Sequence, residues 1–295
     1  MANLLDIRRR IKSVKNTQQI TKAMKMVSAA KLRRAQERAV SARPFAVKMA
    51  EVLSDLASQA GEDFTHPLMD ARGDQRYLLV LVTADKGLAG AFNANLIKAA
   101  QAFIKEHEGR EVEVLAVGRK GRDFFRRRGS LAGEYVGLTG KGRVEHAEAL
   151  EIAREVMRRF IEDEGIDRVF VIFNEFRSVI SQRVVVEQIL PVARAEEGGG
   201  EEGEAAGPNL VGYKYEQPPA DIFSQLLPRL VETQIYRALL ESVASEQGAR
   251  MTAMDSASKN AGELIQSLTL NMNRIRQASI TREIIEIVSG AAAAQ

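Results

Sequence analysis

Leu4, Ile7, Ile11 and Val14 recur at alternating spacings of three and four, the seam of a coiled coil. The apolar phase then slips to Ile20, Met24 and Val27, with Ala23, Ala30 and Ala35 widening the stripe. Such a slip predicts local unwinding of a supercoil and not a break in the helix. No glycine intervenes before Gly61, and the one proline in this stretch, Pro44, is expected to kink or divide the helix. At the other end, Pro218 and Pro219 suit a first helical turn. From there to Val288 the pattern is helical, interrupted only by Pro228, Gly248 and Gly262. Met254, Ala257, Ala261, Leu264, Leu268, Asn271, Ile275 and Ala278 hold a three-four register. At about 1.5 Å per residue this helix would be roughly 100 Å long, too long to be buried in a small domain. Its natural partner is the N-terminal helix, antiparallel to it, with Ala29 and Ala30 set against Ala257 and Ala261. The expectation is a paired helical rod.

Between these helices the period changes. Tyr77–Thr83 is a continuous apolar run of strand length, followed by ADKGLAGAFN and a helical stretch from Ala91 to Glu106. Glu111–Val117 predicts a second strand, Lys120–Arg128 a short helix, Arg143–Glu164 an amphipathic helix and Arg168–Phe173 a third strand. Val179–Leu190 and Leu210–Tyr215 alternate as strands do. Strands alternating with helices imply an α/β domain with a largely parallel sheet. Glu196–Pro208 (EEGGGEEGEAAGP) is acidic and glycine-rich, the composition of a solvated spacer. The expected domains are an N-terminal coiled-coil helix, 1–60, a central α/β domain, 75–217, and a C-terminal coiled-coil helix, 218–295.

Composition adds little to this picture except by exclusion. Aromatic residues are 5% and tryptophan is absent, which suits helices packed through Ala, Leu, Ile and Met. The absence of cysteine removes disulfides, thiolate metal sites and cysteine nucleophiles. His66, His107 and His146 stand singly, without metal-ligand spacing. No apolar run reaches the roughly 18 residues of a membrane span, and the N-terminus lacks a signal-peptide core. The expectation is a soluble, intracellular chain that meets a membrane only through partners.

Charge changes the picture more. The net charge is only +3, but between Arg8 and Arg43 a dozen lysines and arginines face a single acid, Glu37. Solvated helix faces ordinarily mix signs, so this one-sided flank predicts an acidic partner, either an acidic protein surface or nucleic acid. A basic coiled-coil nucleic-acid-binding module is the alternative reading, weakened by the lack of a recognition motif or stacking aromatics. Asp85-Lys86-Gly87-Leu88-Ala89-Gly90 is a glycine-containing strand-to-helix turn, the place where nucleotide sites occur. Its lysine precedes its glycines, so it matches neither phosphate-binding fingerprint and reads better as a structural turn. Neither a paired-carboxylate arrangement nor a nucleophile elbow is present. No cofactor or metal is expected.

IRRRIKSVKNTQQITKAMKMVSAAKLRRAQ near the start, and ESVASEQGARMTAMDSASKNA and RQASITREIIEIVSGAAA near the end, resemble the gamma subunits of F-type ATP synthases. LVTADKGLAGAFN and YKYEQPPADIF extend the likeness over essentially the whole chain. The resemblance implies an antiparallel coiled coil of the terminal helices with a central Rossmann-like α/β domain, working as a non-catalytic rotor shaft. It also implies partners: the alpha and beta subunits of the catalytic hexamer, the epsilon subunit and the c-ring, at the cytoplasmic face of the bacterial inner membrane. Arg276, Gln277 and Thr281 match family positions that engage beta near the shaft tip. Lys22, Met24 and Lys25 fall in the stretch facing the acidic loop of beta. Tyr213, Tyr215 and Glu216 match the foot near epsilon and the c-ring, and Ile284–Val288 the apolar tip. The cysteine-bearing insertion of chloroplast relatives is missing, which removes their thiol switch.

Overall fold

The computed structural model describes residues 4–60, 64–162, 165–179, 181–192 and 217–293. The expected strand Leu210–Tyr215 and the spacer Glu196–Pro208 lie outside the described residues, as do Tyr213, Tyr215 and Glu216. The chain divides into two compact units. One joins Met1–Ala29 to Arg250–Gln295, and the other is Ala30–Ala249.

Two helices contribute to both units. Helix α1 is Leu4–Ala60, 57 residues. Pro44 lies inside it without dividing it, contrary to one expectation. A proline frees the carbonyl four residues earlier, here that of Val40, a residue on the exposed side of the helix. The last helix, α5, is Pro219–Ala293, 75 residues, and begins on a proline as the sequence suggested.

In the unit of Ala30–Ala249 the elements after α1 are β1 (Arg76–Val82), α2 (Phe92–Glu106), β2 (Glu111–Val117), α3 (Arg119–Arg126) and β3 (Leu131–Tyr135). A turn of 3-10 helix at Thr139–Lys141 leads to α4 (His146–Glu162), β4 (Arg168–Phe176) and β5 (Gln182–Leu190). The sheet order is β3-β2-β1-β4-β5. β1 pairs in parallel with β2 and β4, β2 pairs in parallel with β3, and β4 pairs with β5 antiparallel. β1 is central and buried on both faces, which explains its unbroken apolar run. Tyr77, Leu79 and Leu81 pack with one face of α2, namely Phe92, Leu96, Ala100 and Phe103. α4 buries Ala149, Ile152, Ala153, Val156 and Phe160, an amphipathic stripe at helical spacing.

In the other unit α1 and α5 run antiparallel. Lys25 meets Asp255, while Gln18 reaches the Ser258 carbonyl (3.3 Å) and lies against Gly262. This register differs from the expected one, since Ala261 lies near Gln18 and not opposite Ala29. The phase slip is also corrected. Ile7, Thr21 and Ser28 are buried and Leu4, Ile11, Val14, Gln18 and Lys25 half-buried, an unbroken three-four register. Ile20 (59% exposed) and Val27 (56%) face outward. The seam keeps its period by passing through polar side chains. On α5 it runs through Met254, Ser258, Ala261, Ile265, Leu268, Met272 and Ile275, so Leu264, Asn271 and Ala278 are exposed beside it.

Candidate functional site

The polar stretch of the helical pair is built around one carboxylate. Asp255 Oδ1 lies 2.5 Å from Lys25 Nζ across the pair, and its Oδ2 lies 3.0 Å from Lys259 Nζ one turn along α5. Hydrogen bonds from Lys25 and then Lys259 hold the Asp255 carboxyl below its ordinary range. That contribution is present above the usual carboxylate pKa and is lost as pH falls through the lowered value. Polar pairs inside a seam fix register better than they add stability. Lys25→Glu should therefore lower the melting temperature of the full chain by setting two acids against each other. The swap Lys25→Asp with Asp255→Lys should avoid most of the loss, and thermal unfolding of the two variants beside the unaltered chain checks this.

The structure divides the residues singled out on resemblance into two groups. Lys22 is exposed, Met24 half-buried, and Lys25 already engaged with Asp255. Arg276, Gln277 and Thr281 are exposed on α5, with the Thr281 hydroxyl donating to the Gln277 carbonyl (3.0 Å). Roughly 20 residues of helix, about 30 Å, separate Arg276 from Asp255, so the two groups do not form one site. Around Lys22 the outward side chains Ile20, Met26 and Val27 make a mixed basic and apolar flank. Beyond Arg276, Ile280, Ile284, Ile285, Ile287 and Val288 are all exposed. Large aliphatic side chains in such numbers on one helix mark a surface that a partner covers.

The glycine-containing turn after β1 sits at the carboxyl end of the sheet, beside the switch point between β1 and β4. Ligands of open α/β sheets bind at such points. Here three backbone donors that converge on the turn from later in the chain are taken by a side chain. Asp85 Oδ1 accepts from the N–H groups of Arg119 (3.1 Å) and Gly137 (3.0 Å). Its Oδ2 accepts from Gly140 N–H (2.7 Å) and the Thr139 hydroxyl (3.1 Å). Burial alone pushes this carboxyl up, but the Gly137, Gly140 and Arg119 amides and the Thr139 hydroxyl outweigh it and hold it below the ordinary range. The amides of Arg119, Gly137 and Gly140 are thus held by Asp85 and not open to a phosphate, while Lys86 is exposed. Gly118 (φ 97°) is required where the chain crosses this region, because a Cβ there would overlap the Thr83 carbonyl. Asp85 lay inside the suspected motif, but the suspicion fell on its lysine and glycines.

A third polar cluster joins α1, α5 and the end of β4. Glu241, with its side chain 4% exposed, accepts at Oε1 from Arg43 Nε (2.9 Å) and Nη2 (2.7 Å). Its Oε2 accepts from the Phe176 backbone N–H (3.0 Å), and Arg43 Nη2 also donates to the Phe176 carbonyl (3.1 Å). Nothing in the sequence marked this clamp, whose partners lie 198 positions apart. It borders a cavity of about 460 Å³ that Glu175, Glu187 and Arg237 also line.

A unit with a mostly parallel sheet and an antiparallel helical pair, both using residues of α1 and α5, define an α/β protein with long terminal helices. Comparison with known proteins makes the class specific. A family model described as ATP synthase matches residues 3–294. The ATP synthase gamma chain of Solibacter usitatus is 54% identical over the whole of both chains. That of Trichlorobacter lovleyi is 49% identical over 99% of this chain and 98% of its own. Among solved structures, a chain of the central stalk and c-ring of the Tetrahymena thermophila mitochondrial ATP synthase is similar, with a TM-score of 0.61 and 26% identity, covering 81% of this chain and 99% of that one. A chain of the Euglena gracilis mitochondrial ATP synthase shares the fold, with a TM-score of 0.64 and 20% identity over 98% and 94%. The chain belongs to the ATP synthase gamma-chain family.

Proposed function

We propose that the chain is the central rotor shaft of a proton-translocating ATP synthase, passing torque between a membrane c-ring and the catalytic alpha–beta hexamer during ATP synthesis. The observation that carries this reading is the end-to-end similarity to gamma chains, and the exposed basic and apolar flanks of the helical pair fit it. A shaft must present its surface to its neighbours. Here Lys22, Ile20 and Val27 do so on α1, and Arg276, Gln277 and Thr281 on α5. A basic flank passing acidic loops of beta gives an attraction that depends on rotary angle, because it is one-sided. Lys25 contributes differently from Lys22, since its charge is shared with Asp255. In this reading Tyr213, Tyr215 and Glu216 meet epsilon and the c-ring.

The nucleotide chemistry belongs, in this reading, to the hexamer, and the chain supplies no catalytic group. The Asp85-filled turn agrees with that assignment. No described helix is long and apolar enough to cross a membrane. The chain is placed peripherally, at the cytoplasmic face of a bacterial inner membrane, held there by its partners. The relatives and structural neighbours named above are ATP synthase chains, which gives the nucleic-acid alternative no support.

Reconstitution with alpha and beta subunits tests the proposal. An alpha–beta–gamma complex should hydrolyse ATP strongly and the mixture without this chain weakly, and no activation would refute the shaft. Arg276→Ala with Gln277→Ala should weaken coupling or assembly while the isolated chain unfolds as before. Normal assembly and coupling in that double variant would remove these residues from the contact surface.

A further inference from the structure

α1, the start of α4 and α5 enclose a second cavity in the sheet-bearing unit, of about 370 Å³. Small-molecule sites run from roughly 300 to 1,000 Å³, so the space suits a compact ligand. Its chemistry differs from that of the larger cavity. Among the described residues no carboxylate lines it, whereas two guanidinium groups, an imidazole and a phenol do: Arg38, Arg237, His146 and Tyr236. They come from three separate helices, so this is not the solvated face of one.

Each group has capacity to spare. Arg38 is exposed and enters no ion pair among the described residues. Arg237 pairs with Glu187 through Nη2 and lies 6.0 Å from the centre of the Phe173 ring, while its Nε is buried without a hydrogen-bond partner among the described residues. His146 meets Tyr236 edge to face, ring centres 5.1 Å apart, which holds the imidazole at the cavity wall. The Ser41 and Thr233 hydroxyls donate to carbonyls of their own helices (2.9 and 2.7 Å), which leaves the cationic groups to set the ligand's charge. The Phe45 ring, 59% exposed, completes an aromatic side with Tyr236.

We propose that this cavity binds a phosphate-bearing small molecule, its phosphate held between Arg38 and Arg237 with His146 beside it. Guanidinium forks match phosphate oxygens in geometry as well as charge. The Phe45 and Tyr236 rings offer a face to a planar group carried by the phosphate, as in a nucleotide. A bound phosphate would brace the three helices against one another. This inference stands apart from the shaft reading, because binding is measured on the full chain alone, without the hexamer.

The test is calorimetric titration of the full chain with inorganic phosphate and, separately, with ADP, together with thermal unfolding at saturation. One saturable site per chain and a raised melting temperature are expected. Arg38→Gln should weaken binding by about tenfold or more, the loss of a charge-assisted contact, without changing unfolding in the absence of ligand. Arg34→Gln, which removes a cation from the same helix outside the cavity, should bind as the unaltered chain does. Tighter binding of ADP would assign the site to a nucleotide, and equal binding to free phosphate, and both support the proposal. Absence of saturation with either probe would overturn it, as would equal weakening by Arg34→Gln and Arg38→Gln.

Discussion

Asp85→Asn should cost the chain about 3 kcal/mol, the scale of hydrogen bonds to a buried charged group, and lower its melting temperature accordingly. The carboxylate accepts from donors on both oxygens: Arg119 and Gly137 amides on one, Gly140 amide and Thr139 hydroxyl on the other. An amide side chain must turn its NH2 toward one set. Thr139 can rotate to accept, but an N–H of Gly140, or those of Arg119 and Gly137, would still face a donor. The effect has a defined pH dependence. Because the folded carboxyl titrates below its ordinary value, its contribution is complete above the unfolded pKa of about 3.9 and is lost as pH falls through the folded one. The gap between Asp85→Asn and the unaltered chain should be full at pH 7 and narrow below about pH 4. Denaturant unfolding at the two pH values measures it. Lys86→Gln, at the exposed neighbouring residue, should leave stability unchanged, and a large loss there would mean that the turn is organised around the lysine.

How far the sequence revealed this molecule depended on whether a residue's environment is local. β1 was legible nearly to the residue because a strand buried on both faces is an apolar run, and β2 because it alternates and then ends in a buried apolar stretch, Val114–Val117. β3 was missed: Leu131–Tyr135 contains Gly133 and has no sustained alternation, and it is a strand because β2 offers it an edge. The helical pair was legible in kind but not in register. Apolar periodicity followed Ile20 and Val27 outward, whereas the seam continues through Thr21, Lys25 and Ser28. Those polar side chains are tolerated in the seam because they have partners there, among them Asp255 for Lys25 and the Gln18 carbonyl for the Thr21 hydroxyl. The Thr21 bond is local, but a partner on the other helix, such as Asp255, is invisible to a window of one. The outward Ile20 and Val27 then become informative, since apolar residues that leave a seam need another surface. The same limit hid Asp85, whose donors come from two later loops, and the Arg43–Glu241 clamp.

That clamp supports the second large effect, and the order of its variants is the discriminating result. Arg43→Met leaves Glu241 buried with only the Phe176 amide as partner. Stranding one member of a buried pair costs about 3 kcal/mol or more, and Arg43, itself partly exposed, sets the lower end of that range here. Glu241→Gln is milder, about 1 kcal/mol, because the amide oxygen still accepts and the arginine reaches water. The double change Arg43→Met with Glu241→Met should be less damaging than Arg43→Met alone, since a buried pair replaced by apolar groups of similar size removes both desolvation costs. Denaturant unfolding ranks the three. The consequence for rotation follows from what the clamp joins: α1, α5 and the backbone at the end of β4. If torque passes from the sheet unit into the helices, a chain with Arg43→Met should assemble with alpha and beta and hydrolyse ATP. It should then pump fewer protons per ATP, because the helices can turn against the sheet before transmitting load. Equal loss of hydrolysis and pumping would assign the clamp to folding alone, and a more damaging Glu241→Gln would mean that the carboxylate's charge is not what the arginine compensates.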